Sequence, residues 1–188
     1  MDRPPGSSKP SWPAGTVFTV GHSTRAIADF IGLLQAYDIE RLADIRTVPR
    51  SRHNPQFNAD SLLLSIPAAG IDYVPMRSLG GLRHARKDSP NAAWRNMSFR
   101  GYADYMQTTA FDIALDELLE ASRDRRVAIM CAEAVPWRCH RSLVADALVA
   151  RGILVAEILS ETSCRWHSLT PFARVVGTRV TYPEQSDP

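Results

Sequence analysis

Short apolar runs of strand length alternate with amphipathic stretches of helical period along most of this chain. Thr16 to Val20 is a β-branched run ended by Gly21. Ser23 or Thr24 is then positioned to cap a helix whose apolar face is Ile27, Phe30, Ile31 and Leu34. Leu42 to Ile45 reads as a second strand. Asn58 or Asp60 opens a short helix through Leu62, Leu63 and Ile66 that closes near Gly70, and Ile71 to Val74 reads as a third strand. The pattern predicts a long helix from about Tyr102 to Ala121, with Phe111, Leu115, Leu118 and Leu119 on one side. Arg126 to Cys131 ends in a continuous apolar run, the pattern of a strand buried on both faces of a parallel sheet. Ser142 to Arg151 is helical up to Gly152, a suitable residue just past a helix end, and Leu154 to Leu159 is the last strand. Strands separated by helices in this rhythm predict an α/β fold: a single domain with an open, mostly parallel sheet flanked by helices.

Two segments break the rhythm. Thr47 to Phe57 contains Pro49, Arg50, Arg52, His53 and Pro55, and Pro75 to Arg100 contains Arg77, Arg83, His84, Arg86, Lys87, Arg95 and Arg100 with Trp94 and Phe99 among them. A structureless segment of that length inside a small domain is usually functional, and Gly80-Gly81 suggests a hinge, so the second segment is expected to be a mobile lid. Residues 1–15 and 182–188 are rich in Pro, Gly and Ser or polar residues and are expected to be flexible tails around a domain spanning 16–181.

Composition narrows the class. The 188 residues suit one domain with a full core, and 45% hydrophobic with 22% charged residues is ordinary globular composition. No run approaches the roughly 18 apolar residues of a membrane span. The first residues hold prolines and serines where a secretory signal needs an apolar stretch, which predicts a cytoplasmic protein with no membrane partner. Three cysteines, Cys131, Cys139 and Cys164, argue for reduced thiols over a disulfide framework. A net charge of +2 does not by itself predict nucleic-acid binding; the placement of the cations matters more than their sum.

In open α/β sheets, ligands bind beyond the carboxyl ends of the strands. The first predicted strand delivers Gly21-His22-Ser23 there, and the second delivers Asp44 and Arg46, followed by Arg50 and Arg52. The third gives Arg77. The fourth gives Cys131 and Glu133, then Arg138, Cys139, His140 and Arg141, and the last leads to Cys164, Arg165 and His167. Comparable groups are not expected at the opposite strand ends, so this one-sided placement predicts a single site.

Within that site, the segment VAIMCAEAVPWRCHRSLVADAL places a cysteine at a strand end and another where a helix starts. Helix N-termini bind anions and lower thiol pKa values, and Arg138 and Arg141 would strengthen both effects. Cys131 or Cys139 then reads as the nucleophile, Glu133 as general acid or base, and His140 as a proton relay, with His22 a further catalytic candidate. Arg46, Arg50, Arg52, Arg77, Arg83, Arg138, Arg141 and His167 are the candidate substrate-binding residues, because the guanidinium fork suits phosphate. Each has a structural counterpart. Cys131 and Cys139 are equally readable as packed small hydrophobes. His22 is readable as bonding its own turn, His167 as local packing, and Arg46 as an ion pair with Asp44. Trp137 and Trp166 read as packing residues or as base stackers.

Cys131, Glu133, Cys139, His140 and His167 include donors suited to zinc or iron. Their spacing matches no short zinc motif, so no residue is assigned as a metal ligand and the cofactor is left open.

The combination GHSTR at 21–25, LADIRTVPRSRHNPQFN at 42–58, LGG at 79–81, FRGYADYM at 99–106, MCAEAVPWRCHRSLVADALVARG at 130–152 and HSLTPFA at 167–173 resembles the DUF488 family. The resemblance covers nearly all of the chain between its tails and implies an α/β fold, without an assigned activity. The order of a strand ending in cysteine, an arginine-bearing loop, a helix and a further strand is similar to rhodanese-like domains. There a cysteine opens an anion-cradling loop that ends near an arginine. Cys131 and Arg138 hold those places here, in a longer loop containing Pro136 and Trp137. Residues and resemblance together lead to the expectation of an enzyme acting on a phosphate-bearing substrate, a nucleotide or nucleic acid. A rhodanese-like thiol or sulfur transferase is one alternative, and a non-catalytic nucleic-acid-binding protein using the Arg/Trp/Phe-rich segment is the other.

Overall fold

Successive side chains of the central strands point to opposite faces of one sheet, and each face meets its own layer of helices. The computed structural model describes residues 12–184. In chain order these form β1 (Val17–Gly21), α1 (Ile27–Ala36), β2 (Arg41–Asp44), α2 (Ala59–Ala68), β3 (Asp72–Pro75), α3 (Met97–Tyr105), α4 (Thr109–Ala121), β4 (Val127–Cys131), α5 (Arg141–Ala150), β5 (Val155–Ser160), β6 (Ser163–Trp166), β7 (Arg174–Val176) and β8 (Arg179–Thr181). The main sheet runs β3-β2-β4-β1-β5-β6, parallel throughout except for β6, which pairs antiparallel with β5. This is the expected α/β domain.

Two apolar layers hold it. Phe18, Val20, Leu42, Ala128 and Met130 face Phe30, Leu33 and Leu34 of α1 and Leu62 and Ile66 of α2. Val17, Ala43, Val127, Ile129 and Val155 face Tyr102 of α3, Phe111, Leu115 and Leu118 of α4, and Leu143, Val144 and Leu148 of α5. Connections that move one way across the sheet use one layer, and connections that move back use the other, as a single crossover handedness requires. The chain leaves β1 toward β2 and leaves β4 toward β5, so the loops after the neighbouring strands β1 and β4 diverge. That divergence makes a crevice at the carboxyl ends of the two strands, the position where such sheets bind ligands.

Several expectations are corrected. Neither Ser23 nor Thr24 caps α1, whose N-cap is Ala26 without a side-chain bond. The helix expected over 102–121 is two helices, because Thr108 caps α4 by accepting from the Phe111 N–H. β6 and the β7–β8 hairpin, which turns at Gly177 in the left-handed region (φ 61°), were not expected. The supposed lid is tied down along its length. Buried Asp104 accepts from the Arg86 N–H, the Ser89 hydroxyl and the Asn91 amide, and Arg100 donates to the Trp94 and Ala92 carbonyls. Tyr182, expected to begin a tail, is fully buried and donates to Asp146. Trp12, expected within the first tail, packs edge-on against Phe18 and Trp166. Residues 1–11 and 185–188, most of the two expected tails, lie outside the described residues. Among the described residues no helix is long and apolar enough to cross a membrane.

Candidate functional site

The loop that leaves β4 is held from behind by four hydrogen bonds to consecutive carbonyls. The His22 N–H donates to the Cys131 oxygen (3.0 Å) and the Ser23 N–H to the Ala132 oxygen (2.8 Å). The two terminal nitrogens of Arg141 donate to the Glu133 and Ala134 oxygens. Arg141 sits at the start of α5 and is fully buried, so its guanidinium is an internal peg for this loop. All peptides of the described residues are trans, and across a trans peptide the N–H points away from the carbonyl. The N–H groups of Glu133, Ala134 and Val135 are therefore turned to the side opposite the pegs. None of the three has a hydrogen-bond partner among the described residues. Residues 132–135 with Arg138, Arg50 and Arg46 border a recess of about 530 Å³ on the crevice. Three unpartnered amides in a row thus lie beside the guanidinium groups of Arg46, Arg50 and Arg138 in one concavity. Gly21 permits the close packing behind it, since a Cβ there would lie 1.9 Å from the Glu133 oxygen.

Cys131, Cys139 and His140 come together beside that concavity. They line a cleft of about 480 Å³ with Arg46, Gly81, Phe99, Glu133 and Arg138. The His140 Nδ1 lies 3.9 Å from the Cys131 sulfur and 3.6 Å from the Cys139 sulfur. Its Nε2 is 3.1 Å from the Ile45 carbonyl, which only accepts, so Nε2 carries the proton. The other ring nitrogen, Nδ1, faces both sulfurs. Gly81 packs directly on this ring, where a Cβ would come within 2.5 Å of Nδ1. The glycine pair read as a hinge is thus a close-approach point.

The two thiols are electrostatically unequal. A hydrogen bond from Cys139, with His140 and the Arg141 charge, holds Cys131 well below the usual thiol pKa despite its burial. Burial and the donation to Cys131 push Cys139 well above it. Of the pair, Cys131 is the one whose ionised form the surroundings favour. Cys164 lies apart on β6, half-buried, and burial raises it to about 11.

Several other candidates are engaged within the protein. Arg46 makes a bidentate pair with Asp44 (2.8 and 2.6 Å) and bonds the Phe57 carbonyl, leaving one nitrogen at the cleft, 3.1 Å from His22 Nε2. His22 donates from Nδ1 to the Ser23 carbonyl and stacks on Phe57, and burial lowers its pKa. Both of its nitrogens are occupied, so it positions Arg46 and is no free base. Arg83 bonds the Gly80 and Ser78 carbonyls and covers the Tyr105 ring at 3.6 Å. His167 lies between buried Asp146 and Glu157, 2.8 Å from each, with Tyr182 and Arg165 completing the network. Arg77 is exposed and borders a separate recess with Arg50, and Arg52 is exposed on the 47–57 loop. Asp146, Glu157 and Tyr182 were missed. A lone carboxylate within each of the apolar segments SLVADAL and LVAEIL was the available signal. The opposite sheet edge also carries charge, but as pairs such as Arg41–Asp72 and Arg126–Asp38.

Fold and site together define a parallel α/β domain with a cysteine–histidine cluster beside a loop of unpartnered amides at the topological switch point. A family model, the domain of unknown function DUF488, matches residues 26–148, and the chain belongs to that family. The match spans β2, β4 and the whole Cys131–Arg141 segment. The comparison with curated proteins returned no match, and neither did that with solved structures.

Proposed function

We propose that this protein is an enzyme acting on an anionic, phosphate-bearing substrate, a nucleotide or nucleic acid, through the Cys131 thiolate. The observation that carries the reading is the pegged loop: three N–H groups without partners border one recess, Cys131 borders the next, and Glu133 and Arg138 line both. His140 Nδ1 takes the thiol proton. The sulfur attacks phosphorus, an S–P bond forms as the ester P–O bond breaks, and the leaving oxygen takes the proton back from His140. Water then cleaves the S–P bond, releasing phosphate and restoring the thiol. The amides of Glu133, Ala134 and Val135, with Arg138 and Arg50, hold the non-bridging oxygens, where fixed donors stabilise developing charge. Glu133 stands at the rim shared by both recesses and is the candidate to orient the attacking water. The free thiols suit the reducing cytoplasm, where we place the protein.

The nucleic-acid-binding alternative is weakened because Arg83 and Arg100 are bonded to carbonyls and Arg86 is paired with Asp88. The sulfur-transfer alternative uses the same loop and separates by substrate.

Alkylation of Cys131 by iodoacetamide, followed by mass spectrometry, tests the reading. Inorganic phosphate is expected to slow labelling of Cys131 but not of Cys164, and Arg138→Ala is expected to abolish that protection. Turnover of phosphate esters is expected to disappear in Cys131→Ser. Labelling indifferent to phosphate would overturn the phosphate reading, and turnover of thiosulfate with no ester hydrolysis would replace it with sulfur transfer.

A further inference from the structure

We propose that Cys131, Cys139 and His140 form a site for a thiophilic divalent cation, Zn²⁺ by donor set, with three protein ligands and a fourth position open to the cleft. The inference concerns regulation of the same centre and rests on the reading of Cys131 as its nucleophile.

Geometry points to this first. The two Sγ atoms and Nδ1 lie within 4.8 Å of one another. In a tetrahedral zinc site, Zn–S of about 2.3 Å and Zn–N of about 2.0–2.1 Å place a sulfur and a nitrogen ligand about 3.5 Å apart. The sulfur–nitrogen separations here, 3.6 and 3.9 Å, are close to that edge length. Closing the remaining tenths of an ångström on those two edges needs only small side-chain rotations, and the sulfur–sulfur edge, about 3.8 Å in such a site, lies within the 4.8 Å bound.

The surroundings of the ligand atoms fit as well. A metal-bound histidine usually donates its other N–H to a carboxylate or a backbone carbonyl, which fixes the tautomer and the ring orientation. His140 does so through Nε2 to the Ile45 carbonyl, while Gly81 and the Tyr102 ring, 5.0 Å away between centroids, confine its plane. Two thiolates and one imidazole select zinc-like ions and disfavour magnesium and calcium, which take oxygen donors. Two thiolates also neutralise a divalent charge, so the fully buried Arg141 beside them faces no net cation. The cleft residues Glu133, Arg138 and Phe99 lie on the open side, where a water or an anion can complete the coordination.

A bound ion occupies the electron pair with which Cys131 would attack, so the metal-loaded form is silent as a thiol nucleophile. Removal of the ion restores it.

The test uses the full chain, reduced and stripped with a chelator, then titrated at neutral pH with Zn²⁺ alone against a chromophoric competitor. One equivalent is expected to bind per chain. Cys139→Ser and His140→Gln are each expected to weaken binding by more than the roughly 10–100-fold that loss of a metal site's outer partners produces. Cys164→Ser is expected to leave binding unchanged. Zn²⁺ is also expected to protect Cys131 of the wild-type chain from iodoacetamide, a readout that needs no variant. Co²⁺ is expected to give a sulfur-to-metal charge-transfer band that Cys139→Ser diminishes. Equal zinc affinity in wild type, Cys139→Ser and His140→Gln would overturn the site, as would unprotected labelling of Cys131 at saturating Zn²⁺. Phosphate protection of the metal-free chain without zinc binding would sink the metal site and leave the enzymatic reading intact. Zinc binding without phosphate protection would do the reverse.

Discussion

Replacing His167 by glutamine is expected to lower the unfolding free energy by about 3–5 kcal/mol at neutral pH, the usual cost of removing one partner from a buried charged pair. His167 bridges Asp146, which is fully buried, and Glu157, which is nearly so, and without its positive charge two buried carboxylates are left without the cation between them. Burial alone would lower the pKa of His167, but the hydrogen bonds and charges of Asp146 and Glu157 outweigh it and raise it to about 9. The folded value lies above the unfolded one, so this contribution is fully present below about pH 6.5 and is lost as pH rises through about 9. Urea unfolding across that range should show wild-type stability falling by up to about 3 kcal/mol, since a difference of one in pKa between the folded and unfolded chain corresponds to roughly 1.4 kcal/mol. His167→Gln should lack that slope. Parallel pH profiles for the two proteins would show that the imidazole is not charged in the folded state. On the acid side, burial would raise Glu157, but its bonds to His167 and Arg165 prevail and hold it below the usual range. That contribution is present above the unfolded carboxylate pKa and is lost as pH falls through the lower folded value.

The second large effect is expected at Arg141. Arg141→Met keeps most of the buried volume but leaves the Glu133 and Ala134 carbonyls without donors. At roughly 1.5–3 kcal/mol for each hydrogen bond to a charged group, the loss of these two part-buried bonds is about 3–6 kcal/mol. Phosphate protection of Cys131 should vanish with it, because the loop amides are aimed only while the carbonyls behind them are pegged. Arg138→Met provides the contrast. It removes the same charge from an exposed side chain of the same loop, so stability should change by no more than about 0.5 kcal/mol while phosphate protection is still lost. Retention of both stability and phosphate protection in Arg141→Met would show that this side chain does not shape the anion site.

The two arginines illustrate where sequence reading stops. Both stand near Cys139 and suit phosphate equally well by side-chain chemistry. Arg138 lies in the short 3-10 turn Pro136–Arg138 and is exposed, whereas Arg141 is the first residue of α5 and is swung under the loop. A shift of three positions across a helix start decides which guanidinium stands exposed at the recess and which pegs the loop from behind. His22 and Arg46 follow the same logic. Their structural readings, a turn bond and a pair with Asp44, describe the geometry observed, although Arg46 still offers one nitrogen to the cleft.

The break between α3 and α4 was legible in principle, since Gln107-Thr108-Thr109 contains a capping residue. The amphipathic period continues across it, so periodicity alone joins the two helices. The hairpin turn at Val176-Gly177-Thr178 carries a comparable short-range signal. Tyr182 carries none. It is drawn into the core by Asp146 on α5 and Asn91 on the 75–100 segment, partners 36 and 91 residues away.

The alternation of apolar strands with amphipathic helices determined the α/β class, and the rule for parallel sheets placed Cys131, Glu133, Arg138 and His140 at one edge. These follow from local periodicity and from a topological constraint that every parallel sheet obeys. Tertiary structure alone decided that His140 presents Nδ1 to two sulfurs, that Arg141 aims a loop, and that His167 lies between two carboxylates. Each depends on a hydrogen bond to a group distant in the chain or across a turn: Ile45 for His140, the Glu133 and Ala134 carbonyls for Arg141, and Asp146 and Glu157 for His167. Residue type and spacing do not encode the direction of such a bond, because it is set only when separate segments pack and leave one orientation of each polar group satisfied.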